Sequence, residues 1–112
     1  MKRRIAPLTM LLLAALPIGG ASAADMPTVA LTIRNHQFEP ATVTIPAGVK
    51  AQLRIKNMDA TTEEFDSETL HREKVIAPGD EGVVYVGPLE AGTYPFMGEF
   101  HAATAKGEVV VK

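Results

Sequence analysis

Three side chains that can bind a metal ion lie within five residues of one another near the C-terminus of the chain. Met97, Glu99 and His101 offer a thioether, a carboxylate and an imidazole, all of which bind metals in proteins. An alternating apolar stretch begins before them at Tyr94, and the strand-like segment GEVVV begins after them at Gly107. A ligand-rich loop between two strands predicts a metal site at one end of a β-sandwich.

A second group of potential ligands lies in the segment EEFDS. This segment contains Glu63 and Glu64, and Asp66 is expected on the same strand face as Glu64. Carboxylates combined with imidazole bind Cu(II), and they also suit iron, Mn(II) and Zn(II). A solvated acidic surface is the alternative interpretation. The remaining histidines, His36 and His71, lie in polar segments, where we expect them to face solvent.

The absence of cysteine restricts the chemistry. It excludes a thiolate ligand, a cysteine nucleophile and an iron–sulfur cluster. A small domain without disulfides must be stabilised by its hydrophobic core or by a bound ion. No serine or threonine has the spacing of a nucleophile elbow, so we do not assign an enzymatic activity to the domain by itself.

The N-terminus has the three parts of a secretory signal peptide. Lys2 to Arg4 are basic, Ile5 to Ile18 are mostly apolar, and Ala21 to Ala23 form a small-x-small cleavage site. The apolar run is shorter than the ~20 residues that span a bilayer, although a retained N-terminal anchor is the alternative. We therefore expect a signal peptide over residues 1–23, a periplasmic domain over residues 24–112, and no membrane insertion after cleavage.

Cleavage would also change the charge of the protein. Loss of the three basic residues would leave eight Lys and Arg against thirteen Asp and Glu, a net charge of −5. A negative domain is repelled by phosphate groups. The charge therefore argues against nucleic acid and anionic membrane surfaces as partners.

The mature part of the chain reads as a series of short strands. Alternating apolar residues recur in TVALTIR, in TVTI, in the stretch ending at Asn57, in Val83–Val86 and around Tyr94, with Pro/Gly turns between most of them. Neither a helix-like period nor an internal repeat is present. This pattern predicts an all-β antiparallel sandwich of about seven strands. The segment from Glu63 to Gly82 has few apolar residues, and we expect part of it to be irregular.

The C-terminal stretch resembles the copper loop of the cupredoxins, which reads Tyr-x-Phe-x-Cys-x-x-His, then Met, then Gly and an apolar strand. Tyr94, Phe96, His101 and Gly107 fall on that frame. The succession of FEP, an alternating strand, PAG and an apolar strand ending in Asn57 is similar to the first half of a cupredoxin. The resemblance implies a cupredoxin-like Greek-key β-sandwich.

The copper-binding positions of that frame are changed. Gly98 stands where the family has its cysteine, Ala105 stands at the axial methionine position, and Glu63 stands at the first histidine position. A blue copper centre needs two histidines and a thiolate. This chain cannot form that set, so a type 1 centre is excluded.

The altered pattern resembles one branch of the family more closely. The segments EEFDS, HREKVIAPG and GPLEAGTYPF are similar to the cupredoxin-like domains of the EfeO/FtrABCD-type bacterial iron-uptake systems. The resemblance implies a copper- or iron-binding component that assists oxidation of Fe(II) or passes metal on. Its implied partners are a periplasmic iron-binding protein and a membrane iron permease.

These observations predict a non-blue metal site, with copper as the first expectation and iron as the second. The expected ligands are Glu63, Glu64, Met97, Glu99 and His101. Two other functions stay open. One is a copper or iron chaperone without a redox role, and the other is a metal-free domain that binds a partner.

Overall fold

The computed structural model describes residues 26–112, and the predicted signal peptide, residues 1–23, lies outside them. The described residues form strands connected by turns, with one short 3-10 helix at Glu99–His101. The strands are β1 (Thr28–Arg34), β2 (Gln37–Glu39), β3 (Thr42–Ile45), β4 (Ala51–Asn57), β5 (Glu63–Ser67), β6 (Arg72–Ile76), β7 (Glu81–Val86), β8 (Gly92–Met97) and β9 (Lys106–Val111). In the described part of the chain, no helix is long and apolar enough to cross a membrane.

The strands form two sheets. The four-stranded sheet has the order β2-β1-β4-β7, and the five-stranded sheet has the order β3-β9-β8-β5-β6. The predicted all-β sandwich is confirmed, with nine short strands rather than about seven. The expectation of a purely antiparallel sandwich is wrong, because β1 runs parallel to β4 and β3 runs parallel to β9. After β2, the chain crosses to the five-stranded sheet to form β3. It then returns to the four-stranded sheet as β4, which runs in the same direction as β1.

Apolar side chains from both sheets meet between them. In β4, Ala51, Leu53 and Ile55 are fully buried and alternate with more exposed polar residues, as expected for a strand with one face in the core. Phe96 packs against Phe65 with ring centroids 4.9 Å apart, and Phe38 meets both rings edge-on. The apolar core thereby fixes the register of the strands that carry the polar residues at one end.

The segment from Glu63 to Gly82 contains the hairpin of β5 and β6, and the expected irregular parts are the turns at residues 68–71 and 77–80. The sequence did not locate the two strands of this hairpin. The sequence signal was weak for two reasons. In β5, the buried positions include Glu63 and Glu64, which are charged residue types that rarely occur in a strand interior. In β6, only Ile76 is buried, because this strand lies at the edge of its sheet.

The topology brings four chain segments to one end of the sandwich. The parallel strands β1 and β4 both finish there, at Arg34 and Asn57. Strand β5 starts there at Glu63, and β8, which is antiparallel to β5, finishes there at Met97. The turn after β1 and the loops after β4 and β8 are therefore neighbours in space, although they are far apart in sequence.

The contact of Gly107 with Phe96 provides a test of the packing. A Cβ atom at Gly107 would lie 2.4 Å from the Phe96 ring and 2.6 Å from the Ala41 carbonyl oxygen, so Gly107→Ala should destabilise the protein by about 1–3 kcal/mol. Thermal unfolding should show a loss of ~4–8 °C per kcal/mol. The control is Gly92→Ala, whose nearest neighbour is the Tyr94 ring at 3.7 Å and which should change stability by less than about 0.5 kcal/mol. Equal melting temperatures of the two variants would contradict this packing.

Candidate metal centre

The centre of the polar end is the carboxylate of Glu63, the first residue of β5. Its side chain is fully buried and lies on the strand face that also carries Phe65. An isolated carboxylate in such a place would be strongly destabilising, so it must be paired with hydrogen-bond donors or with cations. The surrounding loops provide those partners.

Two imidazoles contact the two oxygens of Glu63. The Nδ1 atom of His36 lies 2.7 Å from Oε1, and the Nδ1 atom of His101 lies 2.9 Å from Oε2. The hydroxyl of Thr61 donates a further hydrogen bond to Oε1 at 3.0 Å. The rings of His36 and His101 are stacked, with centroids 3.6 Å apart and planes at 17°. One carboxylate and two imidazoles thus form a compact cluster.

A tight turn between β1 and β2 presents His36. Asn35 and His36 both have positive φ, at 53° and 58°, a conformation that asparagine and histidine adopt more readily than most residues. The carboxylate of Asp59 accepts hydrogen bonds from the backbone N–H groups of Asn35 at 2.7 Å and His36 at 3.0 Å. The Thr104 hydroxyl donates to the His36 carbonyl oxygen at 2.7 Å, which ties this turn to the loop of His101.

Asn57 holds the loop that carries Asp59. This buried side chain donates to the carbonyl oxygens of Thr61, Ile76 and Ala77 and accepts a hydrogen bond from the Asp59 N–H at 2.9 Å. Burial by itself would raise the pKa of Asp59. The backbone hydrogen bonds from the His36 turn outweigh burial, so the pKa of Asp59 is lowered. Asp59 is therefore ionised at neutral pH and anchors the turn.

His101 is placed by the loop after β8. The backbone N–H of Gly98 donates to the Ala105 carbonyl oxygen at 2.8 Å, and the N–H of Ala105 donates to the His101 carbonyl oxygen at 2.8 Å. A Cβ atom at Gly98 would lie 2.9 Å from both the Ala105 Cβ and the Glu64 carbonyl oxygen. Backbone and a buried alanine therefore fill the space next to the position where the cupredoxin frame has its cysteine.

The donor set of the cluster suits a borderline metal ion. Ligand atoms of His36, Glu63 and His101 all lie within 4.8 Å of one another. Two imidazole nitrogens and one carboxylate oxygen match Cu(II), Zn(II) and iron, and the lack of sulfur makes the cluster unlike a blue copper centre. The two imidazoles are partly accessible, with side-chain exposures of 40% for His36 and 30% for His101. An ion can therefore reach the cluster from solvent.

The structure divides the five predicted ligands between two places. Glu63 and His101 are together in the cluster just described, whereas Glu64 and Glu99 lie with Asp66 in a separate group of carboxylates. Met97 pairs with Asp66 across two strands and is 43% exposed, on the face away from the core. The division follows from the strand, because adjacent residues of β5 point to opposite faces.

The sequence reasoning missed His36, which it placed in solvent. His36 is separated from Glu63 by 27 residues, and only the parallel pairing of β1 with β4 brings its turn to this end. An Asn-His dipeptide between two short alternating segments is a weak signal of a tight turn. That signal would locate His36 at the end of a strand, but it would not show that the turn of His36 lies next to Glu63.

The second group of carboxylates has an unusual electrostatic environment. Glu64 is only 2% exposed, and its Oε1 atom has no hydrogen-bond partner among the described residues. Burial is the main cause that raises the pKa of Glu64 to about 7, and the nearby carboxylates of Glu73, Glu99 and Asp66 raise it further. Glu64 therefore keeps a proton in the folded protein at pH values where it is ionised in the unfolded chain.

This difference makes the stability depend on pH in a defined direction. Because the pKa of Glu64 is higher when folded, the metal-free protein should lose stability as the pH rises from about 5 towards about 8. Glu64→Gln removes the charge and keeps the shape. Its melting temperature should exceed that of the unchanged protein at pH ~8 by a few degrees, and the gap should close at pH ~5. Glu39→Gln, at an exposed site, is the control and should show no such gap. A pH-independent difference for Glu64→Gln would contradict this electrostatic assignment.

Comparison with known proteins agrees with the fold. The family model described as a cupredoxin-like domain matches residues 5–111. An uncharacterized protein of Rickettsia prowazekii (strain Madrid E) is 42% identical over 83 residues, which cover 74% of this chain and 66% of that relative. The chain thus spans slightly less than two thirds of the relative.

Solved structures with low sequence identity share the same architecture. The metal-binding domain of the Cu(I)-exporting P-type ATPase CopA from Streptococcus pneumoniae D39 has a TM-score of 0.68 and 18% identity, covering 76% of this chain and 84% of that one. Auracyanin A, a blue copper protein from Chloroflexus aurantiacus, has a TM-score of 0.66 and 16% identity, covering 76% and 98%. Amicyanin from Paracoccus versutus has a TM-score of 0.61 and 21% identity, covering 81% and 89%.

The narrower resemblance to EfeO-type domains is not addressed by these relatives, but the broader resemblance is confirmed. The family match spans nearly the whole sequence, and the described residues form the corresponding two-sheet sandwich. The chain therefore belongs to the cupredoxin-like domain family.

Proposed function

We propose that the protein binds a copper ion through His36, Glu63 and His101. The observation that carries the proposal is a fully buried carboxylate contacted on both oxygens by stacked, partly exposed imidazoles. A copper ion bound here would supply a one-electron couple between Cu(I) and Cu(II). The carboxylate and the two neutral imidazoles would favour the harder Cu(II) state, because no sulfur ligand is present in the set.

The protein framework supplies what such a site needs. The buried carboxylate is held by β5, whereas each imidazole is held by a loop whose backbone is hydrogen-bonded at both ends. Asp59 and Thr104 hold the turn of His36 from outside the proposed ligand set, and Asp59 Oδ2 also lies 3.5 Å from His36 Nδ1. Such outer partners typically change metal affinity by about 10- to 100-fold.

For the cellular role, we propose a periplasmic component of an iron-uptake system. The support is the signal-like N-terminus and the resemblance of EEFDS, HREKVIAPG and GPLEAGTYPF to EfeO/FtrABCD-type domains. The domain would accept an electron during oxidation of Fe(II), or pass metal on, next to a periplasmic iron-binding protein and a membrane iron permease. Iron is retained as the second metal of the proposal, because imidazole and carboxylate also bind it.

A copper-delivery role without redox is the second candidate. One observation favours it, since both imidazoles border solvent with 40% and 30% of their side chains exposed, which suits exchange of ligands with a partner. The structural neighbour from the Cu(I)-exporting ATPase CopA is itself a copper-binding domain. Voltammetry of the copper-loaded protein separates the two roles. A reversible couple in the accessible range supports electron transfer, and its absence supports delivery.

Matched histidine variants test the ligand set. His36→Asn and His101→Asn should each weaken Cu(II) binding by about tenfold or more, because each removes one imidazole ligand. The control is His71→Asn, because His71 is exposed in the β5–β6 turn and has a positive φ of 53° that asparagine tolerates. The Cu(II) affinity of the His71→Asn variant should be unchanged. Calorimetric titration with Cu(II) measures all three, and equal affinities of the His36 and His71 variants would exclude His36 as a ligand.

Spectroscopy and pH dependence test the chemistry of the same site. The Cu(II) protein should lack the intense thiolate-to-copper absorption of blue proteins and should show a type 2 electron paramagnetic resonance spectrum, because no cysteine exists. Imidazole must be neutral to bind metal. With two imidazole ligands, Cu(II) affinity should fall by up to about a hundredfold per pH unit in acid. The His36→Asn variant should reduce that slope to about tenfold, and an unchanged slope would contradict a two-histidine site.

A further inference from the structure

We propose that Glu64, Asp66 and Glu99 form a second metal site, specific for a hard cation that prefers oxygen ligands. The site lies on the outer face of the five-stranded sheet, on the opposite side of β5 from Glu63. Carboxylate oxygens of the three residues lie within 4.8 Å of one another. Such a separation allows all three side chains to contact one ion.

The backbone explains how three acidic residues meet there. Glu64 and Asp66 are two residues apart in β5 and therefore share a face. Glu99 belongs to the 3-10 helix that directly follows β8, and this helix packs against β5. The three carboxylates come from two segments held by separate hydrogen bonds, so the site is built by the fold and not by one flexible loop.

The buried oxygen of Glu64 is the observation that separates this group from an ordinary acidic surface. Exposed carboxylates are hydrated and need no partner. Glu64 is 2% exposed, and its Oε1 atom accepts no hydrogen bond from any described residue. Leaving a buried polar group without a hydrogen-bond partner is destabilising, and more so when the group is charged. A bound cation would supply the missing partner.

The charges around Glu64 also favour a bound cation. Glu73 faces Asp66 across the β5–β6 pair, so a fourth carboxylate borders the group. Among the described residues, no lysine, arginine or histidine forms a salt bridge with Glu64, Asp66 or Glu99. The repulsion among these carboxylates would be reversed by an ion of charge two or more.

The donor atoms identify the class of ion. The three carboxylates form a set of oxygen ligands, which suits Mn(II), Ca(II), Mg(II) and iron more than Cu(I). The thioether of Met97 lies across from Asp66 on the same face, but it is 43% exposed and lies outside the group whose ligand atoms converge. The imidazole cluster at His36 and the carboxylate site would therefore select different metals.

Mn(II) is the probe, since its free ion is measured directly by electron paramagnetic resonance. The purified protein should bind one Mn(II), and Ca(II) should compete for it. Glu99→Gln and Glu64→Gln should each weaken Mn(II) by about tenfold or more. Glu99 is exposed, so its substitution leaves the fold intact and isolates the effect on binding. Glu68→Gln, an exposed neighbour outside the group, is the control and should bind Mn(II) unchanged.

The histidine variants distinguish this site from the copper site. Mn(II) affinity should be the same in His101→Asn as in the unchanged protein. Prior loading with one equivalent of Cu(II), which fills the imidazole cluster, should not displace Mn(II). Loss of Mn(II) binding in His101→Asn would overturn the proposal by placing the ion at the imidazole cluster. No Mn(II) binding at millimolar concentration would also overturn it, and so would an Mn(II) affinity of Glu64→Gln or Glu99→Gln equal to that of the unchanged protein. None of these results changes the expected Cu(II) affinities, so the two proposals fail independently.

Discussion

A carboxyl group buried at the end of the sandwich sets the requirements for everything around it. The Glu63 side chain is fully buried, and both of its oxygens have an imidazole partner. Removal of one partner from a buried charge typically costs about 3–5 kcal/mol, because the charge that remains is not compensated. The loops of His36 and His101 must therefore stay close to β5. Two sets of hydrogen bonds hold the His36 turn in place. Asn57 binds the loop that carries Asp59, and Asp59 in turn accepts hydrogen bonds from the backbone of the His36 turn.

The alternation of a β-strand turns two adjacent glutamates into parts of two different environments. Glu63 faces the sandwich interior and meets imidazoles, whereas Glu64 faces outward and meets other carboxylates. The first group offers nitrogen and oxygen atoms as metal ligands, and both buried oxygens of Glu63 have hydrogen-bond partners. The second has the oxygen donors of three carboxylates and one buried oxygen without a partner. In the two proposals, metal preference follows from those donors, so a single dipeptide in β5 contributes to two candidate sites of different chemistry.

The sequence was sufficient for the fold and insufficient for the grouping of the ligands. Alternating apolar residues predict most strands of the sandwich, and β4 with Ala51, Leu53 and Ile55 shows why, since strong alternation reports a buried face. The same rule fails for β6, because a strand at a sheet edge buries almost nothing. His36 could not be placed beside Glu63, since that contact depends on the pairing of distant strands. Glu99 and His101 were assigned to one site because they are close in sequence. The 3-10 helix that contains both residues separates their side chains.

The packing around Gly98, and not only the absence of a sulfur atom, is incompatible with the cysteine ligand of a blue copper centre. At Gly98, a Cβ atom would lie 2.9 Å from both the buried Ala105 side chain and the backbone of β5. Restoring a thiolate there would therefore require Gly98 to move away from β5 and from Ala105, and the second movement works against the hydrogen bond between Gly98 and Ala105. With that position closed, the available donors at this end are the imidazole of His101 and the side chains that the neighbouring turn and strand supply. His36 and Glu63 are those side chains, and they shift the candidate centre from a soft sulfur-containing set to an imidazole–carboxylate set on the same framework.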